Sequence, residues 1–402
     1  MATIPRYRSG WGPALLSAGF RPFFLLSGLW AGLAIPIWLC VFTGLDALPT
    51  VLPPIVWHVH EMTYGFGAAT VAGFLLTAIP NWTGRMPLQG GPLAGLALLW
   101  LAGRIAVLAS GQLGPVPAAG IDLAFPLVFL GVVAREILAG RNWRNLPMLV
   151  ALALLLGGNF LVHLEAVGGA DTAEIGNRLG IATLLMLITL VGGRIIPSFT
   201  RNWLAKQRPE IPPPASFGPA DRAALVATAL ALGLWTFRPD AAITAWVVLV
   251  AGLANAVRVG RWRGLAVLHE PLLWVLHLGY AWLAGGLLLL AACRWLPLLP
   301  PTAALHALTV GTIGTMTLAV MTRSSLGHTG RPLVAGPGTT MVYVLITLAA
   351  VLRLLAPIGG NWYLLLLALA GMAWSAAFGL FVLLYARPLA RPRVTGETAR
   401  PI

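Results

Sequence analysis

The chain has 402 residues, of which 58% are hydrophobic and only 9% are charged, and its mean hydropathy is +0.85. Soluble domains usually contain about 25% charged residues, so this composition excludes a soluble globular protein. The net charge of +14 would suit a nucleic-acid-binding protein, but the positions of the basic residues argue against that class.

Apolar stretches long enough to cross a lipid bilayer recur along the whole chain. About 20 apolar residues in a helix span the hydrocarbon core, where only helices or closed barrels satisfy the backbone. The runs are continuous and lack the alternation of barrel strands, which favours helices. We predict an all-α membrane protein, a single polytopic domain over residues 1–402, with twelve spans at residues 22–43, 54–80, 92–110, 119–139, 145–166, 176–196, 220–237, 241–259, 264–292, 302–322, 336–356 and 361–386.

The basic residues are concentrated in alternate connections between these spans. Most of the 26 Lys and Arg residues fall on one side of the predicted membrane, including Arg6 and Arg8 before the first span and Arg400 after the last. Loops rich in Lys and Arg remain in the cytoplasm, so we predict that both termini are cytoplasmic. The basicity then reflects membrane topology, and we expect a lipid bilayer but no nucleic acid among the partners.

Two of the predicted spans contain related motifs. The second contains His60-Glu61-Met62-Thr63-Tyr64-Gly65 and the tenth contains His306-Ala307-Leu308-Thr309-Val310-Gly311. At the same distance after each histidine the chain reads Thr83-Gly84-Arg85 and Thr329-Gly330-Arg331. A matched start and a matched end in one register indicate an internal repeat.

A weaker third copy lies between these two. Residues 196–200, at the end of the sixth span, resemble residues 79–83, and Asn177 occupies the position of the histidine. We infer three four-helix units at approximately residues 1–118, 119–240 and 241–402. Twelve spans in three pseudo-repeated units resemble the catalytic subunit of heme-copper oxidases, an analogy of architecture that does not itself indicate an activity.

Six of the seven histidines lie within or at the edges of predicted spans. An ionisable side chain inside the membrane is costly and is therefore a candidate functional residue, and imidazole is a common ligand of copper and heme iron. Their predicted depths allow a cluster towards the outer face made of His58, His60, His163 and His306. The full set of candidate metal ligands is His58, His60, His163, His269, His277 and His306.

His58 and His60 are predicted to serve different sites. Residues two apart on an α-helix point about 200° apart, so both cannot easily bind one ion unless the helix starts irregularly. The repeat favours His60 and His306 as the axial ligands of one heme, which leaves His58 for a second site with His163 or His277. The alternative is that these imidazoles only form hydrogen bonds between helices.

Two other polar residues near the histidines are candidates for proton transfer. Glu61 follows His60 directly and is a candidate hydrogen-bond acceptor for an imidazole, a proton-relay carboxylate or an interfacial charge. Tyr280 shares one helix face with His277 in the ninth span. We take Glu61 and Tyr280 as the candidate catalytic residues.

Three further residues are assigned to the cytoplasmic side. Arg194 and Arg323 lie at inner ends of spans, where arginine is typical of a topology anchor and is also a suitable partner for heme propionates. His328 is predicted to lie in a polar cytoplasmic loop.

Longer motifs are specific enough to indicate a family. They include Trp57-His58-Val59-His60-Glu61-Met62, Gly193-Arg194-Ile195-Ile196-Pro197 and Leu326-Gly327-His328-Thr329-Gly330-Arg331. In these motifs the chain resembles the NnrS family over nearly its whole length. The resemblance implies a bacterial inner-membrane protein that contains heme b and copper and acts with denitrification and nitric oxide defence. The ligand positions remain our inference from the histidine pattern.

The sequence supports three hypotheses of function. The first is a heme and copper protein of nitric oxide metabolism or nitrosative-stress protection that reduces a small nitrogen oxide at a His-ligated centre, with an electron donor that the sequence does not identify. The second is a transporter for a metal, heme or small metabolite, although most transporter folds contain two repeats rather than three. The third is a heme-based nitric oxide sensor without turnover.

Overall fold

Twelve long apolar helices make up most of the described part of the protein. The structure is a computed structural model that describes residues 12–394, so Arg6, Arg8 and Arg400 of the topology prediction lie outside the described residues. Between residues 12 and 394 there are helices and connections but no β-strand, and the all-α prediction with twelve spans is confirmed. The helices long and apolar enough to cross a membrane are α1 (Phe20–Phe42), α2 (Pro54–Thr83), α3 (Gly90–Leu108), α4 (Pro115–Ala139), α5 (Trp143–Ala166), α6 (Ala173–Gln207), α7 (Pro219–Phe237), α8 (Ala242–Gly260), α9 (Pro271–Ala292), α10 (Pro301–His328), α11 (Pro337–Ile358) and α12 (Gly360–Ala390).

Prolines, a glycine and a glutamate mark several of these helix ends. Six of the twelve helices begin with proline, which suits the first turn because its missing N–H has no partner there in any helix. Gly84 ends α2 in the left-handed conformation with φ 71°, which glycine adopts without steric cost. Glu270 precedes α9, and its carboxylate accepts a hydrogen bond from the backbone N–H of Leu272 at 3.2 Å.

Some predicted boundaries are wrong. The helix α6 continues to Gln207 and α10 continues to His328, so His328 ends a helix instead of lying in a loop. The helix α9 begins at Pro271 and not at residue 264. Hydropathy indicates which residues are apolar enough to lie in the membrane. A helix continues into polar sequence as long as its backbone remains hydrogen-bonded, so it can be longer than the apolar stretch.

The three helices that carry the predicted repeat positions are the most buried. Within the most apolar stretch of each helix, the buried share is 78% in α2, 67% in α10 and 61% in α6, and it is lower in each of the other nine helices. These three helices carry the matched motif positions from which the repeat is predicted. The repeat stays a prediction, and this burial pattern agrees with it.

Both helices with a repeat histidine contain a π-helical segment directly after that histidine. The segments are Glu61–Gly67 after His60 and Ala307–Gly314 after His306. A π-helical turn contains an extra residue, so it changes which side chains face a common direction, and such turns are frequent at functional sites. The local geometry therefore singles out the same two positions as the motif comparison.

The described helices form two compact units. Among the described residues, the first unit contains 12–180 together with Ser324–Arg331 and 382–394, and the second contains Ile181–Arg323 and Pro332–Phe381. In the first unit α2 packs against α1 and α4, and α4 also packs against α3 and α5. In the second unit α8 packs between α7 and α9, and α10 packs against α9 and α11.

Candidate metal site

Six polar side chains from four neighbouring helices meet inside the first unit. Two come from α2, one from α3, one from α4 and two from α5, and none is more than 4% exposed. We call this set the His60 cluster; its members are His60, Glu61, Arg104, Asp122, Asn159 and His163. So many polar groups in an apolar helical protein are costly unless they satisfy one another.

Three of these residues present ligand atoms towards one another. One atom each from His60, Asp122 and His163 lies within 4.8 Å of the other two. Asp122 Oδ2 is 2.9 Å from His163 Nε2 and 3.2 Å from His60 Nε2. Ligands held at about 2.0–2.2 Å from one ion lie about 3.3 Å apart in a tetrahedron, and these two separations are slightly shorter than that. Two imidazoles and a carboxylate suit copper, zinc or non-heme iron.

Glu61 and Asn159 orient the ligands. The Nδ1 atom of His60 lies 2.9 Å from Glu61 Oε1, and a hydrogen bond donated from Nδ1 makes Nε2 the nitrogen that a metal would take. A bound metal would replace the proton that Nε2 directs towards Asn159 Oδ1 and Asp122 Oδ2 in this structure. Asn159 Nδ2 donates to Asp122 Oδ2 at 2.8 Å, and Asn159 Oδ1 lies 2.8 Å from His60 Nε2. Glu61, a candidate catalytic residue, therefore lies beside His60 and contacts its Nδ1 atom.

Arg104 supplies the positive charge of the cluster. It donates to Glu61 Oε1 at 2.6 Å and also to Asp122 Oδ1. The guanidinium lies over the Trp100 ring, 5.9 Å from its centroid. One arginine thus holds two buried carboxylates in place, and its removal would leave both without a counter-charge.

His58 lies outside this cluster. Its imidazole stacks on Trp38, with the ring centroids 4.4 Å apart, whereas His60 lies with His163 at a centroid distance of 5.3 Å. Of the predicted outer cluster, the structure brings His60 and His163 together and leaves His58 on another face of α2. This follows from a regular helix between Pro54 and His60, in which residues two apart diverge.

The second unit contains its own buried polar group, which includes Tyr280. The Tyr280 hydroxyl donates to Asn255 Oδ1 at 2.7 Å and accepts from Arg258 Nη1 at 2.7 Å. Arg258 Nε donates to Asp221 Oδ1 at 2.9 Å. We call these four residues, Asp221, Asn255, Arg258 and Tyr280, the Arg258 cluster. Tyr280 therefore belongs to an arginine–aspartate network and not to the His60 cluster.

Gly193, in the Gly193-Arg194 motif, makes room for Arg258. A Cβ atom on Gly193 would lie 1.9 Å from Arg258 Nη2. We expect Gly193→Ala to displace the guanidinium from Asp221 and Tyr280 and to lower the free energy of unfolding by about 3–5 kcal/mol, the cost of breaking a buried ion pair. Thermal unfolding in lipid nanodiscs measures the change. Gly285→Ala on α9 is the matched control, because nothing lies within 4 Å of its Cβ position, and an equal loss in both variants would contradict this role.

The remaining candidate histidines lie in separate surroundings within the second unit. His277 is 7% exposed and its Nε2 lies 3.0 Å from Thr200 Oγ1. His306 is partly buried and its Nδ1 lies 2.6 Å from the carbonyl oxygen of Thr302. His269 is exposed in the connection before α9. Since His60 and His306 belong to different units, their pairing on one heme stays a prediction.

The two candidate arginines also differ in surroundings. Arg194 is exposed and lies within α6, which continues beyond it, instead of ending a span. Arg323 lies over the Phe199 ring with its guanidinium carbon 4.1 Å from the centroid. Their assignment to heme propionates stays a prediction.

Sequence reasoning missed three members of the His60 cluster: Arg104, Asp122 and Asn159. The available signal was the presence of charged residues inside apolar runs, since Arg104 and Asp122 lie in α3 and α4. A charge within a span normally has a partner on another helix. Which helix supplies that partner depends on packing that a single sequence does not reveal.

Within residues 12–394, twelve helices long and apolar enough to span a membrane and a buried group of two histidines and a carboxylate define a polytopic membrane protein with a candidate metal site. The family model described as NnrS protein matches residues 14–393. The chain therefore belongs to the NnrS family. A comparison with curated proteins gave no match.

Proposed function

We propose that this protein binds a copper ion at His60, Asp122 and His163 and acts in nitric oxide metabolism or nitrosative-stress protection in the bacterial inner membrane, with both termini in the cytoplasm. The observation that carries the proposal is the convergence of three buried ligand atoms within 4.8 Å of one another. Membership of the NnrS family supports the choice of metal and of nitric oxide.

The donor set fits copper. Imidazole nitrogen suits copper, and a carboxylate is an acceptable third ligand. The hydrogen bond between His60 and Glu61 (2.9 Å) is the carboxylate–histidine arrangement that orients many metal ligands. Bound copper would supply one-electron chemistry for the reduction of a small nitrogen oxide. The electrons for this reduction come from a donor outside this chain.

Heme b is the second cofactor that the family implies, and we propose His306 as its ligand. The short contact of its Nδ1 with the Thr302 carbonyl oxygen (2.6 Å) selects the tautomer whose Nε2 lone pair binds iron. His60 is assigned to the copper site, because its ligand nitrogen lies within 4.8 Å of the ligand atoms of Asp122 and His163. These contacts favour His60 as a ligand of the smaller metal site.

Metal analysis of the purified protein tests this proposal. Full-length protein in lipid nanodiscs should contain copper, and His163→Ala should lose most of it, because a third of the ligand set disappears. His58→Ala is the matched control, since His58 lies on the adjacent helix turn but stacks on Trp38 outside the cluster. Elemental analysis and the absorption spectrum measure copper and heme separately. Absence of copper from the wild type, or equal loss in both variants, would refute the site.

The nitric oxide role has its own measurement. Protein loaded with copper and heme, and supplied with a chemical reductant, should consume nitric oxide faster than His163→Ala protein does. Nitric oxide binding without consumption would favour the sensor hypothesis and overturn the proposed enzymatic role.

A further inference from the structure

Three chain segments meet at one end of the first unit: the start of α1, the turn after α10 and the end of α12. Arg21 on α1 donates to the carbonyl oxygens of Leu389 and Arg391 at 2.7 and 2.6 Å. The backbone N–H of Val394 donates to the carbonyl oxygen of Thr329 at 2.9 Å. These hydrogen bonds hold the chain that leaves α12 beside the turn that follows α10.

This junction gathers four arginines at the membrane end of the helices. We call them the Arg331 patch; its members are Arg331, Arg387, Arg391 and Arg393. Three of them are exposed and Arg331 is partly buried. Burial and the neighbouring guanidinium groups of Arg387 and Arg391 lower the pKa of Arg331. Arg393 lies against Gly330, since a Cβ atom on that glycine would be 3.1 Å from Arg393 Cγ.

No carboxylate neutralises the Arg331 patch within the described chain. None of the ion pairs formed among residues 12–394 includes any of its four arginines, and residues 324–334 and 382–394 contain no Asp or Glu. The Nη1 atom of Arg331 is buried and has no hydrogen-bond acceptor among the described residues. A buried donor without an acceptor is costly, so the patch points to an anionic ligand.

The motif match found in the sequence shows how the same position is satisfied elsewhere. The predicted repeat aligns Arg331 with Arg85, the last residue of Thr83-Gly84-Arg85. Arg85 contacts the carboxylate of Glu136 at 2.5 Å. Arg331 has three arginines as neighbours instead of a carboxylate, so its counter-charge has to come from outside the described chain.

We propose that the Arg331 patch binds the phosphate headgroup of an anionic phospholipid. Guanidinium groups bind phosphate oxygens through paired, charge-assisted hydrogen bonds, and clusters of arginine beside the ends of spans attract anionic headgroups. This inference goes beyond the proposed function, because the patch shares no residue with the His60 cluster and holds its lipid whether or not copper is bound.

An exposed leucine favours a lipid over a soluble anion. Leu383 is 79% exposed and precedes Arg387 by four residues in α12. Residues four apart lie on one face of a helix, so an apolar side chain inside the span and a positive charge at its end face the same way. An acyl chain beside Leu383 continues into a headgroup beside Arg387, whereas a soluble anion gains nothing from the leucine.

Native mass spectrometry of the full-length protein, released from nanodiscs of phosphatidylcholine and phosphatidylglycerol, counts the lipid that stays bound. The wild type should retain phosphatidylglycerol in preference to phosphatidylcholine. Arg331→Gln/Arg387→Gln should weaken phosphatidylglycerol binding roughly 30-fold, since each arginine near an anionic headgroup contributes a factor of about 5. Equal retention of the two lipids by the wild type would overturn the proposal.

A second double variant separates this site from general attraction between arginine and the membrane. Arg144→Gln/Arg222→Gln is the matched control, because it removes two exposed arginines that the sequence assigns to the same side of the membrane, and neither belongs to the patch. The control should keep its phosphatidylglycerol. Equal weakening in the two double variants would show that net charge alone determines retention and would refute the site.

Two further measurements identify the ligand as a lipid. Leu383→Ser keeps all four arginines and changes only an exposed side chain, so it remains informative if the arginine variant does not fold. It should weaken phosphatidylglycerol binding, whereas Leu364→Ser, at a 58% exposed leucine near the other end of α12, should not. Unchanged binding in Leu383→Ser, or displacement of the lipid by inorganic phosphate but not by chloride at the same ionic strength, would overturn the lipid assignment.

Discussion

Replacement of Arg104 by methionine is expected to lower the free energy of unfolding by about 3–5 kcal/mol. Methionine has a similar length and fits an apolar site, so the variant removes the charge with little loss of volume. Glu61 and Asp122, which are 0% and 1% exposed, would then remain buried without the cation that contacts both. The cost arises from these two stranded carboxylates and not from the lost contact alone.

A surface ion pair in the same unit provides the control. Arg85 contacts Glu136 at 2.5 Å, but its side chain is 43% exposed, so Arg85→Met should cost only about 0–1 kcal/mol. Denaturant unfolding in nanodiscs measures both variants. Adding Glu61→Gln to Arg104→Met should recover part of the loss, because one of the two uncompensated charges disappears. If the double variant is less stable than Arg104→Met alone, charge compensation is not the role of Arg104.

The number and type of the helices were predictable from the sequence because the membrane constrains both. Every apolar stretch of span length became a helix, since the hydrocarbon core leaves the backbone almost no other choice. Helix ends were less predictable: α10 extends through Arg323 to His328, beyond the apolar sequence that marks the span.

The candidate site was predictable in part. His60 and His163 were recognised because histidine is rare within a span, and Glu61 because it follows His60. Asp122 and Asn159 were not, although each contacts His60. Their helices approach α2 only in the folded chain, and neither residue lies in a motif with a known spacing.

The burial of two arginines was not predictable from their positions in the sequence. Arg21 directly precedes the first predicted span and Arg258 lies near the end of the eighth, where arginine is typical of a topology anchor, but their side chains are only 4% and 1% exposed. Arg21 donates to the carbonyl oxygens of Leu389 and Arg391 at 2.7 and 2.6 Å, near the end of α12, where helix carbonyls lack partners within the helix. Counting charges along the chain locates a residue near the membrane boundary, but it does not show whether the side chain points inwards.

Asp122→Asn is expected to abolish copper binding at the His60 cluster. Asp122 is the only member of the cluster whose carboxylate contacts both imidazoles, at 3.2 Å from His60 Nε2 and 2.9 Å from His163 Nε2. Asparagine keeps the shape but loses the negative charge that offsets the charge of a metal ion. Loss of a residue that only orients a metal ligand typically lowers metal affinity about 10–100-fold. Loss of Asp122, which we propose as a ligand itself, should lower copper affinity at least as much. Copper titration followed by elemental analysis measures the affinity.

Asp221→Asn separates metal binding from stability in this experiment. Asp221 is also a buried aspartate, paired with Arg258 at 2.9 Å, but it belongs to the Arg258 cluster, whose four members include no histidine. Both substitutions leave an arginine without a full counter-charge, so both should lower the thermal unfolding temperature. Only Asp122→Asn should lose copper. If Asp221→Asn loses copper to the same extent, the metal loss reflects general destabilisation, and the ligand role of Asp122 is refuted. Copper retained by a folded Asp122→Asn protein would refute it directly, because no other carboxylate in the cluster contacts both histidines.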